Sequence, residues 1–168
     1  MRVYLPATLP LLADWLSAGQ VRAGEGRAVT PALREWYAGG DDEELEFSAL
    51  LEAATDALAL LADDDAAPRR RLVLAADVPE AAARPTGGAL DDEPPSRVVL
   101  HAPVPLDALV SAHCDEEGAA PAVAAAVRAL PAARSGDEDA RLVVDDAEEA
   151  DLLWYDATEL EDLARRQG

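Results

Sequence analysis

The stretch RRRLVLAADV (Arg69–Val78) decides how the chain is read. It has the look of a strand, and it has an echo downstream in RVVLHAPVPL (Arg97–Leu106). RLVLAADVP set against RVVLHAPVP predicts two hairpin arms of similar burial, and the echo is too short for an internal repeat. Between the arms lies PEAAARPTGGALDDEPPS (Pro79–Ser96), rich in Pro, Gly and acid. That composition predicts a mobile loop over 79–96, about as long as loops in compact domains become.

Working outward, RVYLPA reads as a first strand with Val3 and Leu5 on one face. Thr8 is placed to cap a helix carrying Leu9, Leu12 and Leu16, which Gly19 ends. Thr30 followed by Pro31 opens a second helix, TPALREWY, closed by Gly39 and Gly40. The strongest helical signal is DDEELEFSALLEAATDALALLADD. Asp41 or Asp42 caps it, acidic residues fill the first turn where the helix dipole favours them, and Leu50, Ala54, Ala57, Leu58 and Leu61 form its apolar stripe. LVSAHCDE alternates as a half-buried strand, with Val110, Ala112 and Cys114 on one face and Ser111, His113 and Asp115 on the other. APAVAAAVRALP is a helix, RLVVDDAEEA fits either a short strand or a helical turn, and DLLWYDA is a last strand. TELEDLARR is a short terminal helix capped by Thr158.

Strands and helices do not alternate regularly, which argues against a doubly wound parallel sheet. The expectation is a single α+β domain over 1–168. It has a mainly antiparallel sheet with helices packed on one face, ferredoxin-like βαββαβ with an extra helical insertion.

Half of the 168 residues are hydrophobic but only 4% are aromatic, so Leu, Val and Ala must build the core. The net charge is −20, from 34 acidic and 14 basic residues. That balance repels nucleic acid and anionic membranes, so neither is an expected partner. Lys, Asn and Ile are absent while Ala, Arg, Asp and Gly abound, the mark of a gene of high G+C content. Cys114 is the only cysteine, which predicts no intrachain disulfide and a cytoplasmic location. Pro6, Pro10 and Asp14 break up the opening apolar run, so it is not read as a secretory leader.

The opening MRVYLPAT, the block VTPALREWY followed by DEELEF, the AADVP strand and the near-terminal LLWYDATEL carry a resemblance. Together they resemble an uncharacterised family of small actinobacterial proteins, a domain of unknown function. The resemblance runs to about Leu160, is loosest in the Pro/Gly/acidic loop, and implies a bacterial cytosolic origin without an activity.

The search for chemistry yields little. His113 and Cys114 point to opposite faces of their strand, and the chain has no paired-cysteine or HExxH spacing, so no metal site is expected. Cys114 sits on an apolar face among acids, which disfavours a thiolate. Ser111 and His113 share a face, but same-strand neighbours two apart rarely present nucleophile to base. AGEGRAVT lacks the phosphate-loop frame. Arg69, Arg70 and Arg71 could grip an anion, but serve more naturally to balance Asp63–Asp65. No cofactor is implied.

The remaining candidates are the two Trp-Tyr pairs, Trp36-Tyr37 and Trp154-Tyr155. Large rings in so aliphatic a chain are read first as core anchors. The functional alternative is a groove lined by Arg34, Glu35, Tyr37, Trp154 and Asp156. The expected role is a small acidic cytosolic module that binds a protein partner or a small molecule. The alternative is an enzyme with Glu35 or Asp156 as base and Arg34 as anion clamp.

Overall fold

The computed structural model describes residues 1–37, 39–86 and 94–165. Its elements in chain order begin with β1 (Arg2–Ala7), α1 (Leu9–Ala18), β2 (Gln20–Val21), β3 (Glu25–Ala28), α2 (Pro31–Trp36), α3 (Asp42–Ala62) and β4 (Leu72–Asp77). They continue with β5 (Ala83–Pro85), β6 (Arg97–Leu100), β7 (Val104–Pro105), β8 (Leu109–Asp115), α4 (Ala120–Arg134), α5 (Glu138–Glu148), β9 (Leu152–Asp156) and α6 (Leu160–Arg165). Seven strands form one sheet in the order β5-β6-β3-β1-β4-β8-β9, and β2 pairs with β7 separately. Every pair recorded among the described residues is antiparallel. The chain is therefore α+β with a mainly antiparallel sheet, and seven strands stand where the expected ferredoxin-like βαββαβ has four.

The two echoing strands do not form a hairpin. β4 lies between β1 and β8, whereas β6 lies between β3 and β5. Their likeness reflects similar inward-facing positions rather than partnership. Within the expected loop 79–96, Glu80–Ala82 form a 3-10 turn and Ala83–Pro85 form the edge strand β5, while residues 87–93 lie outside the described residues.

Helices cover both faces of the sheet rather than one. Val3 and Leu5 of β1, Leu72 and Leu74 of β4, and Ala112 and Cys114 of β8 pack with Leu9, Leu12 and Trp15 of α1 and Leu160 and Leu163 of α6. On the opposite face Tyr4, Val73 and Ala75 meet Leu33 of α2 and Leu45, Ala49, Leu50, Ala53 and Ala54 of α3. A strand buried on both sides reads as a continuous apolar run, and LVLAA in β4 is such a run. Beyond the sheet, α4 and α5 pack on Leu58 and Leu61 of α3 in a third cluster.

Local signals account for most helix starts. Thr8 and Thr30 accept from the backbone N–H of Leu11 and Leu33. Asp41 and Glu44 close a reciprocal capping box on α3. The C-terminal helix departs from expectation: Asp156, not Thr158, is the cap, accepting from the Thr158 N–H at 2.9 Å while Glu159 answers the Asp156 N–H at 2.8 Å. RLVVDDAEEA belongs to helix α5.

Candidate functional site

The region around the two Trp-Tyr pairs is built on the outer flank of α3. That helix is nucleated by its capping box and an acidic first turn, and its inner face is largely Ala, which lets it lie close on the sheet. Phe47 and Leu51, one helical turn apart, fall on its outer side. Phe47 is 58% exposed.

β9 reaches this flank because a buried ion pair holds the turn before it. The Arg71 guanidinium donates to both oxygens of Asp115, at 2.7 Å to one and 3.0 Å to the other, and neither side chain has any exposed surface. The backbone N–H of Arg71 donates to the same carboxylate at 2.6 Å. Arg71 Nη2 also donates to the Ala150 carbonyl at 3.1 Å, in the turn between α5 and β9. Arg70 donates to the Asp115 carbonyl at 2.7 Å, and Arg69 satisfies the carbonyls of Leu61 and Asp64 at the end of α3. The basic cluster is thus an internal brace that closes helix ends and fixes the β4–β8–β9 corner.

β8 carries an irregularity that redirects its side chains. Ala75 faces Ser111 and Ala76 faces Leu109, leaving Val110 as an extra residue. Val110 consequently packs on the α3 side, whereas the unbroken alternation read from the sequence puts it with Ala112 and Cys114. Asp115, placed by the alternation on the polar face with Ser111 and His113, is fully buried against Arg71. Downstream the register is regular, with Trp154 opposite His113 and Tyr155 opposite Ala112.

A groove of about 550 Å³ opens between β9 and α3, lined by Phe47, Leu51, His113, Glu148, Asp151 and Trp154 among others. Trp154 is 60% exposed there. A neighbouring groove shares Phe47 and Leu51 and is closed by Tyr37, and a third brings Trp36 and Tyr37 against Pro94, Pro95 and Glu148. Trp36 is 61% exposed. The expectation that these rings anchor the core is overturned for Trp36, Tyr37 and Trp154. The core rings are Tyr4 and Trp15, and Tyr155 packs partly on the α1 face. Short strands and a six-residue α2 place the pairs at the edge of the fold, where nothing among the described residues covers them.

Of the five candidate residues, Tyr37 and Trp154 flank the same shoulder of α3 in adjoining grooves. Arg34 is exposed and ion-paired with Asp42. Glu35 is exposed and lines none of these grooves. Asp156 caps the turn after β9, and its hydrogen bonds from Thr158 hold its carboxyl below the usual range. Sequence reasoning missed Phe47, Leu51 and Glu148, whose Oε1 accepts from Thr55 Oγ1 at 2.5 Å. The Phe47–Leu51 spacing, off the apolar stripe of α3, is the signal that could have found two of them.

Ser111 Oγ lies 3.4 Å from His113 Nε2, at the limit of a hydrogen bond, and Ser111 is buried. Burial lowers the His113 pKa, so the ring is neutral at neutral pH. Among the described residues no hydrogen bond orients its other nitrogen. Burial pushes the Cys114 thiol up to about 11. Among the described residues no group of three or more His, Cys, Asp or Glu could hold a metal ion, and no helix is long and apolar enough to cross a membrane.

Among the described residues the outer edge of β9 is open. It ends the sheet order, and no described strand pairs with it on that side. The N–H of Asp115 goes to Arg71 on the β4 side and that of Asp156 to Glu159, so by antiparallel alternation Leu153 and Tyr155 bond to β8. The N–H and C=O groups of Leu152 and Trp154 face outward. Leu152–Tyr155 carries no charge and no Pro, the usual protections of an edge, and Leu153 is 43% exposed on the face opposite Trp154.

A family model described as "Family of unknown function (DUF6912)" matches residues 1–164. No curated protein and no solved structure matches the chain.

Proposed function

The chain belongs to that family of unknown function, and we propose that it works as a protein-binding module whose docking surface is the β9 edge with the aromatic flank of α3 beside it. The observation that carries the reading is the open edge strand, uncharged over Leu152–Tyr155, with Trp154 exposed on one face and Leu153 on the other. Edge strands of this kind accept an extended segment of another protein through main-chain hydrogen bonds, and side-chain grooves on either face add selectivity. Four exposed large apolar rings around one helix are more than scattered surface hydrophobics require.

Binding is favoured over catalysis because, of the three groups named for chemistry, Arg34 and Asp156 are already engaged and Glu35 lines none of the grooves. Arg34 is paired with Asp42, and Asp156 is a cap with a lowered pKa, where a general base near neutrality needs a raised one. The net charge of −20 weighs against nucleic acid or an anionic membrane as the partner. The single buried cysteine and the codon signature support a bacterial cytoplasm as the setting.

The test is crosslinked capture from native cytosol with the wild-type chain and with Trp154→Pro. Proline at 154 removes an outward N–H and leaves the bonds to β8 in place. A stoichiometric partner held by the wild type and lost by the variant supports the reading. A partner retained equally by both contradicts it.

A further inference from the structure

We infer that the segment docking on β9 is an extended strand of a partner protein carrying an Arg or Lys, whose cation enters the groove between Trp154 and Phe47. This rests on the docking reading above and names the partner's chemistry. Three features of the groove converge on a cation. Its lining includes two exposed aromatic rings, Phe47 and Trp154, and aromatic rings attract Arg and Lys at close range. The lining also includes Glu148, Glu149 and Asp151, and among the described residues no arginine lines it. Among the described residues none of these three carboxylates has an ion-pair partner.

Strand geometry brings the cation to that place. A segment added outside β9 takes its main-chain bonds from Leu152 and Trp154, whose polar groups face outward. Its side chains alternate between faces, so those on the α3 side stand beside Trp154 and over the groove. Side chains on the other face meet Leu153, and there an apolar residue fits. The docking pattern is therefore apolar and basic in alternation.

A second copy of the chain is the wrong occupant on charge. Each copy carries −20. An antiparallel β9 pair centred on Trp154 sets Leu152 opposite Asp156 and brings two unpaired carboxylate clusters together. Like charges placed across an interface suppress that pairing and steer toward an oppositely charged partner.

The test uses the ¹⁵N-labelled full chain and three blocked peptides, Thr-Thr-Val-Xaa-Val-Thr-Thr with Xaa as Arg, Gln or Glu, so that both Val lie on the face opposite Xaa. Amide shifts of β9 are followed at low and high salt for the wild type, Trp154→Pro and the double variant Glu149→Gln/Asp151→Asn. The expected result is binding of the Arg peptide roughly tenfold tighter than the Glu peptide. That gap closes at high salt and in the double variant, and shifts at β9 vanish in Trp154→Pro. Equal binding of all three peptides, lost in Trp154→Pro, overturns the basic partner and leaves the docking edge standing. A dimer in sedimentation that Trp154→Pro dissolves makes the occupant a second copy and overturns it too. Binding of no peptide also overturns it, while loss of the docking edge itself is read from the capture experiment.

Discussion

Arg71 and Asp115 form a bidentate ion pair with no exposed surface, and the same guanidinium holds the Ala150 carbonyl that delivers β9 to the sheet. One buried charge pair therefore joins β4, β8 and the last turn before the candidate docking edge. Removing one partner strands the other charge without water. Arg71→Met or Asp115→Leu alone is expected to cost about 3–5 kcal/mol, and the double variant to recover most of that loss. Urea unfolding of the three variants and the wild type measures the cycle.

Cys114 gives the native state an alkaline limit. Its ordinary pKa is 9.0, and burial pushes it to about 11 in the fold. Between those values the unfolded chain has lost the proton and the native chain has kept it, so stability falls as pH rises through that window. Tyr4, raised by burial and by Glu46, adds in the same direction from its ordinary 10.0 upward. Thermal unfolding from pH 8 to pH 11 should show the fall, and Cys114→Ala should reduce it. The native thiol should also resist alkylation at pH 8 and react once denatured.

Gly26 is required by close packing rather than by phosphate. A Cβ there would stand 2.8 Å from the Tyr4 carbonyl oxygen and 2.9 Å from a Leu5 methyl, across the β1–β3 pair. The backbone on one side cannot give way. Gly26→Ala should cost about 1–3 kcal/mol, visible as a lower melting temperature by circular dichroism.

Much of the scaffold was legible in the chain. Caps at Thr8, Thr30 and Asp41 are local chemistry, and a reader of short windows sees them. The α3 stripe and the strand character of Leu72–Asp77, Leu109–Asp115 and Leu152–Asp156 are periodic, and they too were visible. Pairing was not. β4 and β6 resemble each other yet sit on different sides of β1, because partnership depends on contacts remote in sequence. The extra residue at Val110 is equally silent, and it moves that side chain to the other face. Asp115 reads as one acid among 34, and only its partner 44 residues away marks it as buried. Of the candidate site, Tyr37 and Trp154 were named from the sequence, but their exposure and the open edge beside Trp154 depend on tertiary packing and strand order, which short windows do not carry.

Trp exposure offers a rapid check of that placement. Trp36 and Trp154 are exposed and Trp15 is 8% exposed. Acrylamide should quench about two-thirds of the native fluorescence readily and the remainder slowly, since burial blocks collision with the ring. Trp15→Phe should leave only the accessible class.

The most direct measurement is native-state hydrogen exchange across β9, free and with the Thr-Thr-Val-Arg-Val-Thr-Thr peptide at saturation. An open edge requires the Leu152 and Trp154 amides to exchange fast in the free chain while Leu153 and Tyr155, bonded to β8, exchange slowly. On docking, the Trp154 amide should slow by an order of magnitude or more, with Leu153 and Tyr155 little changed. A Trp154 amide already protected in the free monomer, or one that stays fast under saturating peptide, would contradict the account of β9 as a docking edge.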